Sequence, residues 1–165
     1  MRFSFASFLC AIAPLTLTTS ASPLGLLVRG LATWDVEGFA KDNPIGPTTG
    51  GKGGPTVTVD NAADLKAAVA GTEPKTVLVK GEITLPSRLK VGSNKSVIGV
   101  KNTAHITGSG IDVQDGTNVI LRNLKISYIN DNDCITIRNS TRVWVDHNEF
   151  TSDISQGPDF FVSVA

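Results

Sequence analysis

From Gly71 onward, apolar and polar residues alternate with a period of two. The runs Val77-Leu78-Val79, Val97-Ile98-Gly99-Val100, Val119-Ile120-Leu121 and Val143-Trp144-Val145 are rich in β-branched residues and bounded by Asn, Gly or Ser. This pattern predicts strands. Their leading valines lie 20, 22 and 24 residues apart, and a second set (Ile83, Ile106 or Ile111, Ile135) recurs at a similar interval. Asn102, Asn123 and Asn148 follow the main strands at matching places. A period in the low twenties built on a strand–turn–strand unit is the mark of a solenoid. The leucine positions of a leucine-rich repeat are absent. The expected fold is therefore an all-β parallel β-helix of about four coils, with an antiparallel β-sandwich as the competing arrangement.

Upstream the pattern changes. Residues 60–69 carry a capping residue, Asp60 or Asn61, and an apolar stripe of Ala62, Leu65 and Val69. This predicts one short helix, placed to cover the N-terminal end of the solenoid. Thr56-Val57-Thr58-Val59 reads as a strand. Residues 42–55 are dense in Gly and Pro, but no helix opens after the glycines, so a tight irregular loop is expected rather than a phosphate cradle.

At the start of the chain, Arg2, an apolar stretch to about Leu17 and then Thr19-Ser20-Ala21 have the order of a secretory signal peptide. The stretch is too short and interrupted for a membrane span. Residues 1–21 are read as signal, 22–36 as a leader and 37–165 as the β-helix portion. Cleavage after Ala21 leaves 144 residues with 14 basic and 15 acidic side chains, a net charge of −1, and Cys134 as the sole cysteine. Cys134 is then either a small buried hydrophobe or lacks its partner. The charge balance argues against nucleic acid as a partner, and the apolar fraction of 41% argues against disorder. The expected setting is secreted and extracellular, with no membrane partner.

Two places carry candidate chemistry. Asp131 and Asp133, two apart in extended chain before Ile135-Thr136-Ile137, project to one side and suit a hard cation such as Ca²⁺; a solvated turn is the alternative. In the run Trp144 to Asn148, Trp144 and Asp146 share the face opposite Val143 and Val145. They form either a sugar-binding groove or a structural patch. His147 has a suitable pKa for a base, but the sequence supplies neither an orienting partner nor a nucleophile. Asn94-Lys95-Ser96 and Asn139-Ser140-Thr141 have the form of glycosylation acceptors, Asn139 falling in a solenoid turn.

Five motifs in order, namely Gly38-Phe39-Ala40, Thr48 to Gly54, Asn118 to Leu124, Asn132-Asp133-Cys134-Ile135 and Val143 to Asn148, resemble family 1 pectate lyases of the fungal type. The resemblance runs from about residue 37 to 161. It implies a right-handed parallel β-helix and a secreted enzyme that cleaves α-1,4-polygalacturonate by Ca²⁺-dependent β-elimination, monomeric in full-length form. It assigns Asp133 to a calcium ligand and Asp131 to an accessory one. Trp144, Asp146 and His147 match a family motif of structural or groove-lining character.

The chain also departs from the family pattern. After Asp159-Phe160-Phe161 the family carries two further calcium-binding acids, and Val162 stands at the first of them. The family's arginine base and later substrate-binding Lys and Arg have no counterpart in the 165 residues. The resemblance thus implies a C-terminally truncated lyase with no catalytic residue of its own, inactive as written. The rival readings are a pectin lyase, a polygalacturonase working with two carboxylates, and a non-catalytic pectin-binding remnant.

Overall fold

A computed structural model of the chain describes residues 35–130, 133–151 and 162–164. The expected signal and nearly all of the expected leader, together with Asp131, lie outside them.

Every strand pairing is parallel, which excludes the sandwich. After β1 (Thr56–Val59) and helix α1 (Ala62–Val69), the described chain winds through four coils of three strands each. The first holds β2 (Lys75–Val79), β3 (Glu82–Thr84) and β4 (Leu89–Lys90). The second holds β5 (Lys95–Gly99), β6 (His105–Gly108) and β7 (Ile111–Gln114). The third holds β8 (Thr117–Arg122), β9 (Lys125–Ile129) and β10 (Ile135–Arg138). The fourth holds β11 (Thr141–Asp146), β12 (Glu149–Thr151) and β13 (Val162–Val164). These stack into three sheets, in the orders β1-β2-β5-β8-β11, β3-β6-β9-β12 and β4-β7-β10-β13.

Two details of the expected repeat are corrected. Val97 pairs with Leu121 rather than Val119, so the step from β5 to β8 is 24 residues and not 22. The isoleucine set is really two stacks on two sheets. Ile83, Ile106 and Ile126 stack on one, and Leu89, Ile111 and Ile135 on the other. Alternate residues point inward, so these aliphatic side chains form one continuous buried core. α1 closes its first end, as expected. Asn61 caps the helix by accepting from the Asp64 N–H at 2.9 Å, and Leu65, Ala68 and Val69 bury against β1, β2 and β4.

The turns repeat as faithfully as the strands. Asn94, Asn118 and Arg142 take left-handed backbone one coil apart, as do Lys101, Asn123 and His147. Asn118 Nδ2 donates to Asn94 Oδ1 at 2.9 Å, and Asn139 to Asp115 Oδ1 at 2.6 Å, so amides climb the corners as ladders. Asn123 and Asn148 bond between coils, to Gly99 and to Leu121 and Leu124. Asn102 is exposed, and Lys101 occupies the turn position in its place.

The Gly-rich segment is a strap laid along a corner of the solenoid. Its 3₁₀ turn, Gly38–Ala40, lies against β11. Thr49 and Gly50 donate to Asn118 Oδ1, Gly51 donates to Ser96 Oγ, and Gly54 passes Pro74 before β1 begins. A Cβ on Gly51 would lie 2.1 Å from the Lys75 carbonyl oxygen, and one on Gly54 1.8 Å from that of Pro74. Close approach, more than turn geometry, requires these two glycines.

Lys95 is a charged side chain in the interior stack, at the inward position held by Val119 in the next coil. Its ammonium donates to the carbonyls of Gly71, Glu73 and Ser93 at 2.7–2.9 Å, using all three protons. Desolvation lowers its pKa, Lys75 adds to that shift, and Glu73 opposes it.

Candidate active site

The residues singled out in the sequence fall on different sheets. Asp133 enters the sheet β4-β7-β10-β13, whereas Trp144 and Asp146 belong to β11 of the five-stranded sheet and His147 follows it.

Asp133 stands two residues before β10. The residue is half-buried, and its carboxylate has a long contact from Thr136 Oγ1 to Oδ2 at 3.5 Å. Its backbone is held more firmly. Arg88, next to β4, donates from Nη1 to the Asp133 carbonyl at 3.1 Å, and from Nη2 to the Ile111 carbonyl at 3.1 Å and Thr136 Oγ1 at 2.8 Å. The guanidinium therefore crosses from β4 over β7 to β10. It lies over Gly110, where an added Cβ would sit 3.0 Å from Arg88 Nη1 and 2.3 Å from the Asp133 carbonyl oxygen. One row along the same sheet, the Asp112 carboxylate is 5% exposed. It faces Arg138 Nη2 at 3.5 Å through Oδ2, while Oδ1 has no hydrogen-bond partner.

The outer face of β11 is built differently. Arg122 of β8 pairs in register with Asp146, with Nη2 3.2 Å from Asp146 Oδ2. Its guanidinium also lies over the Trp144 ring, 5.0 Å from the centroid. His147 Nδ1 is 2.7 Å from the same Asp146 oxygen. The orienting partner that sequence reasoning did not find for His147 is thus its own neighbour, brought round by the left-handed turn at His147. Trp144 also borders a cavity of ≈ 430 Å³ lined by Phe39, Ile45, Thr48, Ile137 and Val143.

A third cluster, unmarked in the sequence, lies on the remaining sheet. His105 Nε2 is 2.6 Å from Ser127 Oγ, and its Nδ1 is 3.3 Å from Glu82 Oε2. The order is that of a nucleophile, base and acid. Ser127, however, is 1% exposed, so the line ties three coils together and presents no hydroxyl to a substrate.

A family model described as pectate lyase matches residues 12–156. This chain belongs to the pectate lyase family. A pectate lyase of Emericella nidulans is 44% identical over 124 residues, covering 74% of this chain and 37% of that protein. A pectate trisaccharide-lyase of Bacillus licheniformis is 35% identical over 173 residues, covering 95% of this chain and 50% of that protein. A crystal structure of a Bacillus pectate lyase in complex with trigalacturonate superimposes with a TM-score of 0.69 at 28% identity, over 79% of this chain and 48% of that one. The chain thus spans between about a third and a half of the length of these relatives.

Within this chain, Asp133 suits one oxygen donor of a hard cation: the residue is half-buried and no Lys or Arg side chain is ion-paired to it among the described residues. Among those residues no three acidic, imidazole or thiol side chains converge. Since Ca²⁺ takes six to eight oxygens, Asp133 alone would supply only a fraction of such a site. Both sequons lie at left-handed corners, and the Asn94 amide is engaged with Thr72 and Asn118. Cys134 is buried, in line with the first of its two expected roles. No described helix is long and apolar enough to cross a membrane.

Arg88, Asp112, Arg138 and the His105 line escaped the sequence reading. Their partners lie 22 to 48 residues away, and several are backbone carbonyls, which leave no mark in a sequence.

Proposed function

We propose that this chain carries the metal-binding and substrate-facing part of a secreted, Ca²⁺-dependent pectate lyase acting on polygalacturonate, with residues 1–21 as its signal peptide. The observation that carries this reading is the half-buried Asp133 at the entry to β10, with no Lys or Arg side chain ion-paired to it among the described residues, in the motif position of the family's calcium ligand. Asp133, joined by Asp131, would hold the ion. When bound, Ca²⁺ would withdraw electron density from a galacturonate carboxylate and acidify the C5 proton. Asp133 orients that encounter, and Arg88 keeps its backbone in place. β-Elimination then needs a base at C5 and departure of the C4 oxygen. The 165 residues hold no counterpart of the family's arginine for that step, and Val162 replaces one acid. Trp144, Asp146 and His147, on another sheet, serve structure here, since Arg122 and Asp146 occupy one another.

Two assays on the purified chain test this. Retention on immobilised polygalacturonate is expected to need Ca²⁺ and to be lost in Asp133→Asn; retention unaffected by chelation would contradict the metal role. The absorbance of unsaturated uronides is expected not to rise with polygalacturonate and Ca²⁺. A clear Ca²⁺-dependent rise would show that the missing base and acid are dispensable.

A further inference from the structure

We infer that Arg88 is a positioning residue for Asp133: it fixes both the backbone and the carboxylate rotamer of the calcium ligand, and so sets metal affinity without touching the metal. The inference rests on the calcium reading of Asp133 proposed above.

Three observations converge on it. The Arg88 fork spans three strands and places one bond on the Asp133 carbonyl, at 3.1 Å, while the contact on the Asp133 carboxylate comes from Thr136. An arginine beside an acid ordinarily forms the bidentate ion pair, which would occupy the oxygens a cation needs. Here the guanidinium restrains the acid through its main chain. Second, Arg88 Nη2 donates to Thr136 Oγ1 at 2.8 Å. With one lone pair of that oxygen occupied by the donor, the hydroxyl proton is free to aim at Asp133 Oδ2, 3.5 Å away. The Thr136 hydroxyl thus becomes a relay from Arg88 to a single carboxylate oxygen. Third, Gly110 leaves the space in which the guanidinium lies, for any Cβ there would meet both Arg88 and the Asp133 carbonyl. Outer partners that orient a metal ligand typically change metal affinity by about 10- to 100-fold when removed.

The sign of the effect separates positioning from simple electrostatics. Removing a cation near a Ca²⁺ site should tighten binding by charge alone; removing a positioning residue should weaken it. The measurement is Ca²⁺ affinity by isothermal titration on the full 165-residue chain with trigalacturonate present, alongside thermal melting. Arg88→Gln and Arg88→Lys are both expected to weaken Ca²⁺ binding about tenfold, the lysine because it keeps the charge but loses the planar fork. Unchanged or tighter binding in either variant overturns the inference, and a fall in melting temperature alone counts with that outcome, because a purely structural residue gives it. Asp133→Asn serves as the control. If it weakens binding while the Arg88 variants do not, the calcium reading stands and the positioning role falls. If it leaves affinity unchanged, or if the unsubstituted chain binds no Ca²⁺, the calcium reading itself falls and takes the inference with it. Should the Arg88 variants not melt cooperatively, Thr136→Val decides: a several-fold loss supports the relay, and unchanged affinity overturns it.

Discussion

The outer faces of two sheets in this solenoid treat their charges in opposite ways. On β8 and β11, Arg122, Trp144, Asp146 and His147 face one another: the guanidinium covers the indole and stands 3.2 Å from Asp146 Oδ2, which the imidazole also approaches, though that oxygen accepts no hydrogen bond. On β4, β7 and β10, Arg88 binds the backbone around Asp133, and the Asp133 carboxylate has no ion pair among the described residues. Nearby, Asp112 is buried with one oxygen unpartnered. Groups that face each other contribute to stability; a group whose scaffold is clamped while its functional atoms stay open is prepared for a ligand. The family motif around Trp144 and the one around Asp133 are similar in sequence character, and their surroundings tell them apart.

This contrast can be broken from either side. The largest stability effect is expected at Arg122. Arg122→Ala removes the cation–π contact and leaves Asp146 without its guanidinium partner, at a cost of about 3 kcal/mol in urea unfolding. Ca²⁺ affinity should not move; if it did, the two faces would be coupled. Asp146→Asn keeps the shape but weakens the pair, and is expected to cost about 1–2 kcal/mol by the same measurement. Asp112→Asn tests the other face. A carboxylate with an unpartnered buried oxygen, opposite a half-exposed Arg138, gains little from its charge, so the amide is expected to be neutral or stabilising by up to about 1 kcal/mol. A loss above that range would mean that Asp112 is a structural anchor. The smallest stability change, within about 0.5 kcal/mol, is expected for Asp133→Asn, even as Ca²⁺ affinity collapses. A large destabilisation there would move Asp133 into the structural class with Asp146.

Much of this architecture is legible in the sequence because a parallel stack repeats its inward residues. Val77, Val97 and Val119 announce a solenoid even though one pairing is displaced by two. The displacement arises because the links between β5 and β8 differ in length from those between β2 and β5, and a spacing measured between first valines cannot see where a strand begins. The third sheet was hidden for a related reason. β3 has three residues and β4 two, too short for alternation to register, so isoleucines of two sheets merge into one apparent series. Asp133, the ligand proposed above, was singled out from its motif. Arg88 was not, since nothing at position 88 marks it as reaching the carbonyl of residue 133. Lys95 was likewise unreadable: its inward place contradicts its residue type, and only the three carbonyls around it explain the exception.

The glycine strap has a consequence for how the molecule comes apart. In a solenoid each repeat ordinarily touches its immediate neighbours alone, so melting can begin at an end and proceed coil by coil. Here Thr49 and Gly50 bind a residue almost seventy positions away, and the segment from Gly38 to Gly54 touches β11, the Asn118 corner, Ser96 and Pro74 in turn. The strap cannot dock until the coils it crosses are stacked, and no coil can leave while it is docked. It converts a zipper into a bundle tied along its length: slow to assemble, because the closing contacts are so distant in sequence, and inclined to open all at once.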